Sequence, residues 1–261
     1  MTATVITVAN RKGGVSKTVT AFTLAHMLVG SGYKVLLVDM DSQANATALA
    51  GADPVSFKNV YAVLNTASTE NAIQHVAYKL YVISGSEETA LCDRAFNELD
   101  APYMLKEALS DVMEKFDYIV IDTAPALDST AVMALTACDW VVIPSQADVD
   151  SLSGIMLLTR MYNKVKKRTN RNVKIAGVLI TRFQARQTYT NQMADNIKSF
   201  AEKETIRVFK TPIRECVAVK EAGFFHKAVT EYAPKSTAAC DYRDFYEELK
   251  EIINNGNEKE I

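Results

Sequence analysis

The chain has 261 residues, of which 48% are hydrophobic and 23% are charged, a composition typical of a soluble globular protein. No apolar run approaches the roughly 20 residues that a membrane-spanning helix needs, and no signal segment is expected, so the sequence predicts a cytoplasmic protein. The four cysteines are widely separated and the three histidines are scattered, a pattern that predicts free thiols and no zinc site.

The formal net charge of −2 hides an uneven distribution of charge along the chain. Residues 1–150 carry 9 Lys and Arg against 18 Asp and Glu, whereas residues 151–261 carry 20 against 13. Residues 160–227 alone have a net charge of +11. This asymmetry favours a polyanion as partner of the second half. For the cluster at 162–171 a solvated basic helix end is an equally good explanation.

Predicted strands and helices alternate along the chain. The β-branched run 3–9 predicts a first strand, and 18–32 has apolar residues at helical spacing. Continuous apolar runs, which indicate strands covered on both faces, predict five more strands at 34–41, 79–84, 117–125, 139–146 and 173–181. We therefore expect an α/β fold: a three-layer sandwich whose mostly parallel sheet has helices on both faces. We expect a single domain over residues 1–253, followed by a flexible tail at 254–261.

A glycine-containing loop with two lysines follows the first predicted strand and reads VANRKGGVSKTVTAF over residues 8–22. The common phosphate loop G-x-x-x-x-G-K-[ST] is not matched, because Arg11 and Ser16 stand where it has glycine. Gly13 and Gly14 permit a sharp turn instead, and the following N–H groups open a helix whose dipole attracts anions. The sequence therefore predicts a phosphate-binding loop of a different pattern.

Three acidic residues lie where predicted parallel strands end, which is where ligands bind in such sheets. Asp39 ends the second predicted strand, Asp41 follows it, and Asp122 ends the fourth. Each alone could be a helix cap, but three of them beside a phosphate loop indicate a site. Lys17 is then expected to face the β- and γ-phosphates, and Thr18 to face a magnesium ion whose water Asp122 holds.

The segment KGGVSKT, residues 12–18, resembles the deviant Walker A motif of the ParA/MinD family of P-loop ATPases. The resemblance covers nearly the whole chain: VLLVDMDSQANATALAG and YIVIDTAPALD look like the second and third motifs of that family. TPIRECVAVKEA and STAACDYRDFYEEL are similar to the C-terminal region of ParA partition ATPases. The chain departs from the family pattern at four positions, Ser16, Val19, Ser42 and Ala124.

The resemblance implies a P-loop NTPase that binds ATP and Mg²⁺ as a homodimer with ATP between the subunits. It implies that Lys12 reaches the partner's nucleotide. We expect Asp41 to position or activate the attacking water, so the expected catalytic residues are Lys12, Lys17 and Asp41. The expected magnesium residues are Thr18, Asp39 and Asp122. The expected nucleotide-binding residues are Lys12, Gly13, Gly14, Val15, Ser16, Lys17, Thr18 and Val19.

Features outside the shared loops distinguish the branches of the family. Cys92 and Cys138 lack the context of the cluster-bridging cysteines of nitrogenase-type reductases. Residues 241–261 contain more acidic than basic side chains, unlike a membrane-binding basic helix, so no membrane partner is expected. The first strand starts by residue 3, so no helix-turn-helix domain is expected before it.

The branch that fits is therefore the small ParA partition ATPases, which act at the nucleoid. Such a protein binds nonspecific DNA as an ATP dimer, and a centromere-binding ParB-like protein stimulates hydrolysis. A MinD-like positioning ATPase for a protein cargo and a non-hydrolysing nucleotide-switch adaptor remain alternatives. The expected DNA contacts come from the basic half and are Lys198, Lys203, Arg207, Arg214, Lys220 and Lys227.

Overall fold

The computed structural model describes residues 2–54, 58–96, 99–126 and 128–257. Seven strands occur in these ranges: β1 (Thr4–Val8), β2 (Val35–Met40), β3 (Gln74–Ala77), β4 (Leu80–Ile83), β5 (Tyr118–Thr123), β6 (Trp140–Gln146) and β7 (Lys174–Thr181). The first helices are α1 (Lys17–Gly30), α2 (Asn45–Ala50), α3 (Val60–Thr66), α4 (Cys92–Ala95), α5 (Met104–Ser110) and α6 (Ser129–Ala137). They are followed by α7 (Ser151–Arg168), α8 (Thr188–Lys203), α9 (Val217–Phe224), α10 (Val229–Tyr232) and α11 (Thr237–Asn257).

The seven described strands form one sheet in the order β3-β4-β2-β5-β1-β6-β7. All neighbouring pairs are parallel except β3 with β4. The prediction of an α/β fold with a mostly parallel sheet is therefore confirmed. Strand β3 was missed in the sequence because it is a short edge strand whose burial alternates, so it lacks the continuous apolar run of the buried strands.

Apolar side chains from helices cover both faces of the sheet. On one face, α3, α5, α6 and α7 contribute residues such as Leu105 and Ile155 to a buried cluster. On the other face, α1 and α11 contribute residues such as Phe22 and Phe245. The chain is therefore a three-layer sandwich with one core layer on each side of the sheet.

The strand register brings the predicted acidic residues together. Asp39 at the end of β2 pairs with Asp122 near the end of β5, and Asp122 also pairs with Val8, the last residue of β1. The loop that follows β1 therefore starts beside both carboxylates, at the carboxyl edge of the sheet.

The last helix extends past the predicted domain boundary at 253, because α11 is helical to Asn257. Ile253 is buried in the core, and Lys174 Nζ donates a hydrogen bond to the Gly256 carbonyl at 3.2 Å. A Cβ on Gly256 would lie 2.5 Å from the Trp140 ring, so the helix end packs closely on β6. Residues 258–261 of the predicted tail lie outside the described residues.

All four cysteines, Cys92, Cys138, Cys216 and Cys240, are free thiols. In the described ranges, no helix combines the length and the apolar character needed to cross a bilayer.

Candidate nucleotide-binding site

The loop between β1 and α1 has the backbone geometry of an anion cradle. Gly14 has φ 74° and Ser16 has φ 62°, both in the left-handed region, and α1 begins directly afterwards at Lys17. The Ser16 side chain makes no capping hydrogen bond. The first N–H groups of α1 thus have no intrahelical acceptor, and they are available to a phosphate at the positive end of the helix dipole.

Side chains from the two strands beyond β1 fix the backbone of this loop. Gln146, at the end of β6, donates from Nε2 to the Gly14 carbonyl at 2.7 Å. Thr181, at the end of β7, donates from Oγ1 to the Val15 carbonyl at 3.1 Å. Val15 itself is fully buried, so it can reach a nucleotide only through its backbone.

The phosphate loop borders a cleft of about 620 Å³ at the carboxyl edge of the sheet. Other parts of its wall come from α2, α9 and the segment 213–216. A volume of this size suits a nucleotide. The predicted nucleotide-binding and catalytic residues that line it are Gly13, Gly14, Ser16, Lys17, Thr18, Val19 and Asp41.

Lys17 lies in this cleft with a largely buried side chain, and its Nζ donates to the Lys12 carbonyl at 2.9 Å. Burial lowers the pKa of Lys17, while the charges of Asp122 and Asp41 act to raise it. A phosphate in the cleft would add acceptors to this desolvated ammonium, and phosphate binding by Lys17 stays a prediction.

Asp122 is a buried carboxylate at the cleft whose oxygens are not satisfied by the protein. It is fully buried, and neither carboxylate oxygen has a hydrogen-bond partner of normal geometry. Burial and the neighbouring Asp39 raise its pKa well above the ordinary value, although the Thr18 hydroxyl and Lys17 lie close enough to oppose the shift. Hard oxygen donors of this kind fit Mg²⁺, which binds proteins through carboxylates, hydroxyls and retained waters.

Asp39 differs from Asp122 because donors of the protein already satisfy it. Its Oδ2 accepts hydrogen bonds from the Thr47 N–H and hydroxyl, both at 2.8 Å, and its Oδ1 accepts one from the Asp41 N–H at 3.1 Å. Burial raises the pKa of Asp39 to about 6, against the opposing effect of these hydrogen bonds. These hydrogen bonds tie Asp39 to the loop that carries Asp41, and its predicted role in the magnesium site stays a prediction.

Gly85 allows this loop to approach the sheet closely. Its N–H donates to Thr47 Oγ1 at 2.9 Å, and a Cβ there would lie 2.5 Å from the Asp41 carbonyl oxygen. A side chain at this position would therefore displace the loop that presents Asp41 to the cleft.

Lys12 lies outside the lining of the cleft that its neighbours form. Its Nζ forms an ion pair with Asp148, in the connection between β6 and α7, and its side chain lines a second cleft with Arg11, Asp150 and Ser153. The two lysines of the loop therefore line two different clefts, which adjoin each other at Pro125.

The six predicted DNA contacts lie on different segments of the chain. Arg214 and Lys220 line the nucleotide cleft, and Arg214 is held by the buried Asp241, with Nε–Oδ2 at 2.9 Å and Nη2–Oδ1 at 2.5 Å. Lys227 pairs with Glu231 at 3.0 Å. These three residues belong to the segments that form or adjoin the cleft wall.

The other three predicted contacts lie on α8 and just after it. Lys198 pairs with the exposed Asp195 at 3.1 Å, while Lys203 and Arg207 are exposed. Helix α8 runs from the carboxyl end of β7 back towards its amino end, because the Arg207 carbonyl accepts a hydrogen bond from the Val178 N–H. Arg207 therefore lies beside the middle of β7, whereas Arg214 lies beyond its carboxyl end, where it pairs with Phe183.

Asp148 and Tyr242 are site residues that the sequence analysis missed. Asp148 follows β6 as Asp41 follows β2, so the strand-end rule could have found it. Tyr242 lines the cleft and its hydroxyl lies 3.1 Å from Thr20 Oγ1 on α1. No sequence signal pointed to it, because the contact spans 222 residues.

Ser16 provides a test of the loop geometry, because its φ of 62° lies in the left-handed region. This backbone conformation destabilises a residue that has a side chain by about 1–2 kcal/mol, whereas glycine adopts it without that strain. We expect Ser16→Gly to raise the free energy of unfolding by about 0.5–1 kcal/mol and to tighten nucleotide binding. Ala67→Gly is the control, since Ala67 has φ 50° at the end of α3 outside the cleft. It should raise stability without changing affinity. Thermal unfolding and nucleotide titration check both; unchanged or weaker nucleotide binding by Ser16→Gly would contradict the account.

A family model described as an AAA domain matches residues 3–175 of this chain. The chain is 34% identical over 256 residues to the sporulation initiation inhibitor protein Soj of Bacillus subtilis, with 97% of this chain and 99% of that protein covered. It is 34% identical over 245 residues to the chromosome-partitioning ATPase Soj of Thermus thermophilus, with 94% of each covered.

Among solved structures, a cobyrinic acid a,c-diamide synthase from Mycobacterium smegmatis with bound ADP and magnesium matches with a TM-score of 0.84 and 27% identity. The match covers 97% of this chain and 96% of that one. Since proteins of different function share this fold, the family rests on the sequence relatives. The chain belongs to the ParA/Soj family of P-loop ATPases.

Proposed function

We propose that this protein is a DNA-partition ATPase that works as an ATP-dependent homodimer. The observation that carries the proposal is the divergence of the two loop lysines, with Lys17 inside the nucleotide cleft and Lys12 outside it. A lysine of the phosphate loop that faces the outer surface can complete a site on a second protomer. The name of the Thermus relative, a chromosome-partitioning ATPase, supports the same role.

The residues of the cleft divide the chemistry between them. Thr18 and Asp122 would hold Mg²⁺, which neutralises charge on the phosphates when bound. Lys17 binds the phosphates, and Lys12 of the second protomer stabilises charge on the transferred phosphoryl group. Asp41 lines the cleft with its Oδ1 held by the Gln43 N–H at 2.9 Å, and it positions the attacking water.

The dimer binds nonspecific DNA of the nucleoid through its basic half, and a ParB-like partner releases it by stimulating hydrolysis. Exposed cations on each protomer contact backbone phosphates, and dimer closure doubles their number. Lys203 and Arg207 are exposed and have no ion pair within the described ranges. They are the best candidates of the predicted set, because Arg214 is already committed to Asp241.

A salt titration on random-sequence duplexes tests this assignment. With ATP and Mg²⁺ present, we expect binding to weaken steeply with salt and to be lost with ADP. Lys203→Ala and Arg207→Ala should each reduce the slope of log K against log salt by about 0.9 per lost contact per protomer. Lys106→Ala on α5, an exposed lysine in the acidic half, is the matched control and should leave the slope unchanged.

Other outcomes separate the alternatives. ATP-dependent dimers without DNA binding would favour a positioning ATPase for a protein cargo. Nucleotide binding without phosphate release, with DNA and the partner present, would favour a nucleotide-switch adaptor.

A further inference from the structure

The ion pair between Lys12 and Asp148 joins the phosphate loop to a connection 136 residues further along the chain. We propose that Asp148 is a positioning residue that holds the Lys12 ammonium within its own protomer and so opposes ATP-dependent dimerisation. The inference rests on the proposed function, because it requires that Lys12 acts on the nucleotide of a second protomer. One ammonium cannot occupy both places.

The pair is partly shielded from solvent and fully engaged. The side chains of Lys12 and Asp148 are 23% and 29% exposed, so their attraction is screened less than that of a surface pair. Ser151 Oγ donates to Asp148 Oδ1 at 2.7 Å, which leaves Oδ2 to face Lys12. Partial burial raises the pKa of Asp148, but hydrogen bonds from Lys12 and Ser151 outweigh it and the net pKa is lowered. Asp148 is therefore ionised at neutral pH.

The backbone around the pair is held in place from two sides. The Val149 N–H donates to the Tyr189 hydroxyl at 3.2 Å, which ties the Asp148 connection to the start of α8. Gly154 lets α7 lie close against the phosphate loop, because a Cβ there would be 2.9 Å from Asn10 Oδ1. Asn10 Oδ1 in turn accepts the Lys12 N–H at 3.1 Å. These contacts hold the backbone of the Asp148 connection and of the phosphate loop at a fixed distance from each other. The Lys12–Asp148 pair therefore differs from an ion pair between two flexible side chains on the surface.

This arrangement makes the partner's nucleotide compete with Asp148 for Lys12. Closing a dimer releases two such pairs, one in each protomer. For pairs of this exposure, losing both attractions accounts for about a tenfold change in the dimer dissociation constant. Asp148 would thereby keep protomers apart until bound ATP offers Lys12 a site of higher negative charge.

Sedimentation across a protein dilution series, with Mg²⁺ and a non-hydrolysable ATP analogue, tests the proposal. We expect Asp148→Asn to dimerise at about tenfold lower protein concentration than wild type. Ser151→Ala, which removes the hydroxyl that orients Asp148, should shift in the same direction by less. Asp148→Glu should return the midpoint towards wild type. Asp111→Asn, which removes an exposed acid at the end of α5 outside the linings of both clefts, is the matched control and should not change the midpoint.

A second pair of variants separates this inference from the proposed function. If Lys12→Ala stays monomeric while Asp148→Asn dimerises no better than wild type, the positioning role is overturned and the cross-subunit role stands. If Lys12→Ala dimerises like wild type, the cross-subunit role itself is wrong. In the Lys12→Ala/Asp148→Asn double variant, the Asp148→Asn change should not strengthen dimerisation. Stronger dimerisation of the double variant than of Lys12→Ala alone would overturn the proposal.

Discussion

Lys17→Ala is expected to weaken ATP binding by about 100-fold or more, because it removes two or more charge-assisted hydrogen bonds to phosphate. Lys17 is the loop lysine that lines the nucleotide cleft, and its ammonium is already held against the Lys12 carbonyl. Little reorganisation is then needed when a phosphate arrives. Titration with a fluorescent ATP analogue measures the loss.

Two controls accompany this variant. Lys17→Met keeps most of the aliphatic stem that packs in the cleft and should lose affinity as strongly, which attributes the effect to charge rather than to packing. Lys12→Ala should still bind the nucleotide as a monomer, because Lys12 faces the second cleft. Affinity within threefold of wild type for Lys17→Ala would remove Lys17 from phosphate binding.

Asp122→Asn is expected to stabilise the nucleotide-free protein while abolishing the effect of Mg²⁺ on it. Both Asp122 oxygens are buried without partners, so replacing the carboxylate with an amide should raise the free energy of unfolding by about 1–2 kcal/mol. Thermal unfolding with and without Mg²⁺ and nucleotide measures both effects. A destabilised variant that still responds to Mg²⁺ would contradict the assignment of Asp122 to the metal ion.

Asp39→Asn is the matched comparison, since Asp39 pairs with Asp122 in adjacent strands. We expect it to destabilise the protein by about 1–3 kcal/mol, because the amide keeps only one acceptor oxygen and cannot accept all the hydrogen bonds from Thr47 and Asp41. If Asp122→Asn raises the free energy of unfolding and Asp39→Asn lowers it, the two neighbouring buried acids differ in role, one at a metal-ion site and the other at a structural hydrogen-bond centre.

The pH dependence of stability follows from the same carboxylates. Their pKa values are raised in the folded chain, Asp39 from 3.8 to about 6 and Asp122 also upwards, so the folded chain takes up protons more readily than the unfolded chain. Their contribution therefore lowers the free energy of unfolding as pH rises, for Asp39 between 3.8 and about 6. The stabilisation of Asp122→Asn over wild type should shrink as pH falls.

Local features of the site were readable from the sequence. The phosphate loop lies within residues 8–22, and its glycines, its lysines and the helix that follows are encoded side by side. Asp39 and Asp122 were also predicted together, because the ends of parallel strands meet at one edge of the sheet. What the sequence could not show was how each carboxylate is bonded, since that depends on where Thr47 lies after the chain turns.

Long-range pairings explain the features that were missed. The Lys12–Asp148 pair spans 136 residues, and nothing near Lys12 in the sequence indicates its partner. The summed charge over 160–227 treated Lys203 and Arg214 as members of one surface. The chain reverses direction between these two residues. Helix α8 runs back along the sheet, and the segment that starts at Val208 then runs parallel to β7, where Arg214 pairs with Phe183. Arg214 therefore lies at the nucleotide cleft.

The most direct test of the account is the molar mass of the protein in solution with each nucleotide. Sedimentation velocity with Mg²⁺ should show a monomer with ADP and a dimer with a non-hydrolysable ATP analogue, and Lys12→Ala should remain monomeric with both although it binds both. A Lys12→Ala dimer that forms with the ATP analogue as readily as wild type would contradict the claim that Lys12 completes the nucleotide site of a second protomer.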